Sequence, residues 1–126
     1  MTFQNSPSLI VYLDQEIVFQ SHEKWLYPLF ALEDFLIDQP FNLGQAVAQD
    51  KVVGKAAAML MARLKIGRVH GELMSVLASK FLQQVGIPHS YDQVVDRIDC
   101  QTETILLDIE DLEEAYQILC NRAKRC

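Results

Sequence analysis

Two short apolar runs near the start of the chain predict a β-hairpin. Leu9–Leu13 and residues 17–19 are rich in β-branched and aromatic residues, and the turn-prone pair Asp14-Gln15 lies between them. Both runs are apolar at nearly every position, so we expect both faces of these strands to be covered.

Two longer segments follow in which apolar residues recur with helical spacing. The first runs from Trp25 to Leu36, with Pro28 in the first turn, where a missing N–H is tolerated. The second is predicted to begin at Asp50 as N-cap and to run to about Leu64.

The second half of the chain alternates between strand and helix signals. Residues 68–75, RVHGELMS, predict a strand, and Ser75 is suited to cap the helix after it, which Gly86 and Pro88 end. The last helix, residues 108–125, is acidic at its start and basic at its end, as its dipole favours. Residues 91–107 give no clear pattern.

The predicted order is β-β-α-α-β-α, an irregular segment, and a final helix. A mixed sheet flanked by helices follows, which is a three-layer α/β architecture. A chain of 126 residues that is half hydrophobic suits one core, and no repeat or linker divides it, so residues 1–126 are predicted to form a single domain.

Charge narrows the range of partners. Seventeen acidic residues against eleven basic ones give a formal charge of −6, which disfavours bulk binding of nucleic acid. A local anion site needs only a few converging donors, so it stays compatible with this charge. The sequence leaves the oligomeric state open.

The lack of a recognisable targeting signal and the spacing of the cysteines favour a cytoplasmic protein that does not enter a membrane. The first residues lack a basic region, and the longest later apolar run, residues 56–62, is far below the ~20 residues that cross a bilayer. Three cysteines without framework spacing indicate a reducing compartment.

Lys51 and Lys55 pose the main functional question. In the predicted helix they are i,i+4 neighbours in the opening turns, where each opposes the positive helix end by about 0.3–1 kcal/mol. This arrangement suggests an opposing anion. It could be Asp50 or another acidic side chain, or it could be a ligand's carboxylate or phosphate held by lysine and free N–H groups.

Zinc chemistry is not supported by the motifs present. His70 and Glu72 form H-x-E, half of a zinc-deaminase signature, but the P-C-x-x-C half is absent. A catalytic zinc needs three well-held protein ligands. No metal site and no cofactor is therefore predicted.

Cys100 is a candidate nucleophile. If a helix begins there, Cys100 is its N-cap and Glu103 occupies the third position of a capping box. A thiol at a helix N-terminus can have a lowered pKa and become reactive. A buried structural cysteine is the alternative.

Three stretches carry a resemblance to a known family: SHEKWLYPL (residues 21–29), DKVVGKAAAML (50–60) and DCQTETILLDIEDLEEAYQIL (99–119), with VHGELMS in a matching place. The chain resembles a small bacterial family of uncharacterised proteins with a cytidine-deaminase-like fold. The resemblance implies a deaminase-like α/β/α sandwich without the zinc ligands, and it implies no established activity.

The resemblance also selects site residues. It implies both ligand-binding positions and candidate catalytic positions. One position departs from the family pattern, since Gln101 stands where the family has proline. The matching ligand-binding residues are Asp50, Lys51, Gly54, Lys55 and Glu103, and the catalytic candidates are Cys100 and Glu72.

We therefore expect the protein to bind a small anionic or nucleotide-like ligand in a zinc-free relict deaminase pocket. Whether a reaction follows is left open, since no complete catalytic constellation is present. The alternative is a non-catalytic interaction or regulatory module that uses the sandwich as a scaffold.

Overall fold

The computed structural model describes residues 6–98 and 101–124, and it confirms the predicted hairpin. Strand β1 (Leu9–Leu13) pairs antiparallel with β2 (Glu16–Ser21). The turn residues Asp14 and Gln15 have φ of 52° and 69°, and positive φ at both positions is the hairpin geometry that suits the twist of paired strands.

Three further strands complete a mixed five-stranded sheet. They are β3 (Val47–Val53), β4 (Arg68–Ser75) and β5 (His89–Val95), and the order across the sheet is β2-β1-β3-β4-β5. Strand β1 runs antiparallel to both neighbours, whereas β3, β4 and β5 are parallel. The predicted α/β fold with a mixed sheet is confirmed at this level.

Five α-helices accompany the sheet in the described residues: α1 (Tyr27–Asp38), α2 (Lys55–Arg63), α3 (Val76–Gln84), α4 (Gln101–Ile105) and α5 (Leu112–Arg122), with a 3₁₀ turn at Leu43–Gln45. Helices α1, α2 and α3 each connect parallel strands, and all three connections proceed in one direction across the sheet. Right-handed crossovers therefore place these helices on one face, where α1 and α3 both contact α2. The three layers that the sequence predicted are not seen in the part of the chain that the structure describes, because the three crossover helices do not divide between the two faces.

Burial along the strands agrees with this arrangement. Leu9, Val11 and Ala48 are fully buried, whereas the intervening Ile10 and Gln49 are only partly buried. The expectation that both faces of the hairpin strands would be covered was therefore wrong for one face, which remains partly open to solvent.

Helix α2 lies at the centre of the helical layer, and α5 packs on it. Seven of the nine residues of α2 are buried. Tyr116 of α5 packs its ring 6.3 Å from Phe30 of α1 and donates a hydrogen bond to Glu33 (2.8 Å). The guanidinium of Arg63, the last residue of α2, lies 3.5 Å from the centre of the Tyr116 ring. These contacts join α1, α2 and α5 into one cluster.

The predicted start of α2 was wrong. Asp50 does not cap a helix, because residues 47–53 form the central strand β3, and α2 begins at Lys55 with Gly54 as N-cap. Lys51 therefore belongs to a strand and Lys55 to a helix, so the two lysines are not neighbours in one helical turn. The apolar residues of β3 also fit a helical stripe, and this overlap hid the strand.

The predicted boundaries of α3 hold, whereas α5 begins at Leu112 and not at the predicted Asp108. Ser75 caps α3 by accepting a hydrogen bond from the N–H of Ala78 (3.0 Å), and Gly86 follows that helix with φ of +80°. Helix α5 begins after Asp111, whose carboxylate accepts from the N–H of Glu114 (2.8 Å). None of the described helices has the length and apolar character needed to cross a membrane.

Candidate functional site

A cavity of about 700 Å³ lies at the edge of the sheet where the parallel strands β3, β4 and β5 end. This is the place where α/β sheets most often bind ligands, and the volume is in the range of small-molecule sites. Its wall is formed by Ser6, Ser8, His22, Glu23, Lys24, Trp25, Leu26, Asp50, Lys51, Val52, Gly54, Ala56, Ala57, Leu73, Val95, Arg97, Ile98 and Thr102.

Gly54 lies where the cavity meets the start of α2, and the space around it favours glycine. A Cβ atom at this position would lie 2.3 Å from Cδ1 of Ile98 and 3.2 Å from Oε2 of Glu103. The backbone of Gly54 is extended, with φ of −96°, so close packing and not conformation imposes the requirement. Gly54 thus allows residues 98–103 to approach the helix.

Glu103 supplies the anion that the sequence predicted near the helix start. Its side chain is buried, and Oε2 accepts hydrogen bonds from the N–H of Lys55 (2.8 Å) and from the hydroxyl of Ser75. Oε1 accepts from the N–H of Ile98 (2.8 Å). A carboxylate at this position also interacts favourably with the helix dipole. The anion at the start of α2 therefore belongs to the chain itself.

Lys55 is likewise occupied by the protein. Its Nζ donates to Oε2 of Glu110 (2.8 Å) and to the carbonyl oxygen of Leu107 (3.2 Å), and the residue is only 4% exposed. The residue is not part of the cavity wall. Of the two alternatives that the sequence left open, the structure places an acidic side chain opposite Lys55.

Asp50 and Lys51 do reach the cavity, from strand β3. Burial raises the pKa of Asp50 to about 7; hydrogen bonds from the N–H groups of Val52 and Lys51 oppose the rise, and the charge of Glu72 adds to it. The Nζ of Lys51 donates to the carbonyl oxygen of Ser6 (3.2 Å). Asp50 is thus a carboxyl group whose pKa lies near neutral pH.

Only one of the two catalytic candidates, Glu72, can be placed relative to the cavity. Glu72 is exposed on β4 and is not part of the cavity wall. Cys100 lies outside the described residues. Cys120 is buried in α5 and disulfide-bonded, which differs from the expectation of reduced cysteines.

The two residues of the H-x-E motif lie on the surface of the sheet, where His70 contacts side chains of β5. Nδ1 of His70 lies 2.7 Å from the hydroxyl of Ser90, and Nε2 lies 3.3 Å from a carboxylate oxygen of Asp92. Across residues 6–98 and 101–124, no three His, Cys, Asp or Glu side chains come close enough together to hold a metal ion. His70 and Glu72 are therefore placed as surface residues of β4.

Sequence reasoning missed the loop between β2 and α1 as part of the site. His22, Glu23, Lys24 and Trp25 all line the cavity, and Arg97 joins them from the segment after β5. Trp25 was assigned to the apolar stripe of α1, but the helix begins only at Tyr27. The signal that could have placed it was Pro28, which fits only the first turn and so leaves Trp25 ahead of the helix.

The loop holds Trp25 in an unusual conformation. Its φ is +58°, a left-handed value that costs a bulky residue about 1–3 kcal/mol. Hydrogen bonds fix the preceding backbone: the hydroxyl of Ser8 donates to the carbonyl oxygen of Glu23 (2.6 Å), and the N–H of Glu23 donates to the hydroxyl of Ser21 (3.2 Å). The surrounding structure therefore imposes this conformation.

These features define an α/β domain with a mixed sheet and a cavity, lined by both charged and apolar side chains, at the carboxyl ends of its parallel strands. The chain belongs to the family described as a domain of unknown function, DUF1893, whose model matches residues 2–122. The predicted membership of a family of uncharacterised proteins is thereby confirmed.

A solved structure of the same family supports the fold. The chain is similar to a DUF1893 family protein, TM1506, from Thermotoga maritima, with 28% identity and a TM-score of 0.80 over 92% of this chain and 80% of that one. Comparison with curated proteins found no match.

Proposed function

We propose that the protein binds a small organic anion in the cavity at the carboxyl ends of β3, β4 and β5. The observation that carries the proposal is the presence of three cationic side chains, Lys24, Lys51 and Arg97, around one cavity of a protein whose net charge is −6. None of the three forms an ion pair within residues 6–98 and 101–124.

The acidic residues of the wall leave an excess of positive charge. Glu23 and Asp50 are the two carboxyl groups that line the cavity, and three cationic side chains face them. Burial raises the pKa of Asp50 to about 7, which reduces its negative charge at neutral pH. A cavity with a low-dielectric wall strengthens the attraction between such a cation cluster and an anion.

The ligand is organic because much of the wall is apolar. Leu26, Ala56, Ala57, Leu73 and Ile98 provide surface that an inorganic ion would leave uncovered. Small-molecule sites combine such surface with a few polar groups that fix orientation. This supports a ligand with a carbon framework and an anionic group.

Asp50 is the group best placed for proton transfer. A carboxyl group with a pKa of about 7 can both donate and accept a proton at neutral pH, which is what general acid–base chemistry requires. If the site catalyses a reaction, Asp50 takes the role that the sequence assigned to Glu72. The interpretation of the cavity as a relict deaminase pocket belongs to this proposal and rests on the resemblance of residues 50–60.

The experiment is a thermal-shift screen followed by calorimetry, with inorganic phosphate, ribose phosphate, nucleoside monophosphates and citrate at constant ionic strength. We expect at least one organic anion to stabilise the protein, and Lys51→Gln and Arg97→Gln each to weaken its binding by roughly tenfold. Lys80→Gln, on the exposed surface of α3, is the charge-matched control and should leave affinity unchanged.

A second variant tests the prediction from the sequence that Lys55 binds the ligand. Lys55→Gln removes the ion pair to Glu110, so it should lower stability while leaving the Kd of the organic anion unchanged. If no anion binds, or if Lys80→Gln weakens binding as much as the cavity variants do, the proposal is wrong.

An interaction module is the second candidate function, and strand β5 favours it. This strand forms the edge of the sheet, and Tyr91 and Val94 on it are 44% and 40% exposed. An exposed edge can pair with a strand of another chain. Light scattering after size exclusion tests this: an assembly that Tyr91→Lys dissociates supports the module, and a monomer at all concentrations opposes self-association.

A further inference from the structure

We infer that the ligand carries a planar aromatic ring that stacks on Trp25, so that the organic anion is an aromatic phosphate or carboxylate of the nucleotide type. This inference rests on the proposed binding function and specifies its ligand class. It assigns a ligand contact to a residue that sequence reasoning placed in the apolar stripe of a helix.

The first support is the conformation of Trp25. A tryptophan in the left-handed region is uncommon, and such strained residues cluster at ligand sites, where the surrounding structure enforces them. The hydrogen bonds of Ser8 and Ser21 to Glu23 hold the loop that presents it. The fold thus maintains an unfavourable backbone conformation at a position that lines the cavity.

The second support is the exposure of the indole. Trp25 is 39% exposed, although it lies beside an apolar wall that a core tryptophan would fill. Tyr27 contacts the indole at 5.2 Å between ring centres and 71° between ring planes, an edge-on arrangement that fixes the orientation of the indole. Tyr27 therefore orients the indole of Trp25, while the side chain is not buried in the hydrophobic core.

The third support is hydrogen-bonding capacity. No partner for the indole N–H occurs in the described part of the chain, so this donor is available to a ligand. An adjacent cation, Lys24, and the cations Lys51 and Arg97 lie in the same wall. A stacking surface beside a positive cluster is the combination that recognises a ring joined to an anionic group.

Trp25 is the single tryptophan of the chain, so its fluorescence reports directly on the site. The experiment titrates the protein with adenosine monophosphate, cytidine monophosphate and ribose phosphate, and follows both indole emission and calorimetric heat. We expect the two nucleotides to quench the emission and to bind about tenfold or more tightly than ribose phosphate.

Variants at the same position test the role of the ring. Trp25→Leu should reduce nucleotide affinity to that of ribose phosphate, whereas Trp25→Phe should retain part of the preference. Circular dichroism and thermal unfolding of each variant verify that the fold is intact. Tyr91→Phe, on the sheet edge, is the aromatic control and should change neither affinity.

The outcomes separate the two proposals. If ribose phosphate binds as tightly as the nucleotides, and Trp25→Leu leaves that ratio unchanged, the aromatic preference is wrong while anion binding stands. If neither the nucleotides nor ribose phosphate binds, and citrate and inorganic phosphate fail as well, both proposals are wrong. Quenching together with a loss of preference in Trp25→Leu supports both.

Discussion

Glu103 and Asp50 are two carboxyl groups at the same end of the sheet, and their surroundings differ. Glu103 is buried and accepts three hydrogen bonds, from the N–H groups of Lys55 and Ile98 and from the hydroxyl of Ser75. Asp50 lines the cavity, where burial raises its pKa to about 7 and the N–H groups nearby only partly oppose the rise.

This comparison distinguishes polar groups that bind other residues of the chain from polar groups that could bind a ligand. Glu103 and Lys55 are both satisfied by partners within the chain. Lys24 and Arg97 form no ion pair in the ranges that the structure describes. Residues of one sequence signature, from Asp50 to Lys55, thus divide between the two roles.

The largest effect is expected for Glu103→Ala. The change leaves the Lys55 and Ile98 N–H groups and the Ser75 hydroxyl without their acceptor, so the free energy of unfolding should fall by about 4 to 5 kcal/mol. Urea denaturation measures it, with Glu114→Ala on the exposed face of α5 as the control. A loss as small as that of the control would show that Glu103 is not a structural residue.

A smaller effect of opposite sign is expected for Asp50→Asn. The pKa of Asp50 is 3.8 when unfolded and about 7 when folded, so the unfolded state loses its proton first as the pH rises. Wild-type stability therefore falls between about pH 4 and 7 on account of this group. Asparagine removes that loss and should stabilise the protein by about 2 to 3 kcal/mol at neutral pH. This is less than the full shift in pKa would give, because the residue is only partly buried.

The pH dependence is the decisive part of this measurement. The gain from Asp50→Asn should disappear as the pH approaches 4, since both states of the wild type are then protonated. Asp108→Asn, at an exposed position, serves as the control. A gain of equal size at every pH would contradict the raised pKa.

The smallest effect is expected for Gly54→Ala. The new methyl group would overlap Cδ1 of Ile98, and the resulting shift should cost about 1 to 2 kcal/mol in thermal unfolding. Ile98→Val removes the overlapping atom, so the double variant should recover part of the loss. Additive losses in the double variant would place the strain elsewhere.

Much of the fold could be predicted because several elements carry local signals that packing did not override. The hairpin turn at Asp14-Gln15, the cap at Ser75 and the end of α3 at Gly86 are examples. Strand β3 was missed since its alternation is short and merges with the helical stripe of α2. Strand β5 was missed because it is an edge strand of mostly polar, exposed residues.

The site could be predicted only in part, because its members meet through tertiary contacts. Asp50, Lys51 and Gly54 were identified and do line the cavity. Lys55 contacts Glu103 and Glu110, which lie 48 and 55 residues later in the sequence. No local sequence pattern reveals contacts over such a separation. Trp25 and Arg97 reach the cavity from loops whose conformation the sequence does not specify.

The partners of α2 have a consequence for synthesis on the ribosome. The acceptor for the backbone N–H of Lys55 lies 48 residues later in the sequence, and the carboxylate that pairs with its ammonium group lies 55 residues later. In a nascent chain that has emerged only as far as β5, the N–H of Lys55 therefore lacks its acceptor Glu103, and the Lys55 ammonium lacks its ion-pair partner Glu110. Helix α2 can gain these partners only after residues 103–110 have left the exit tunnel.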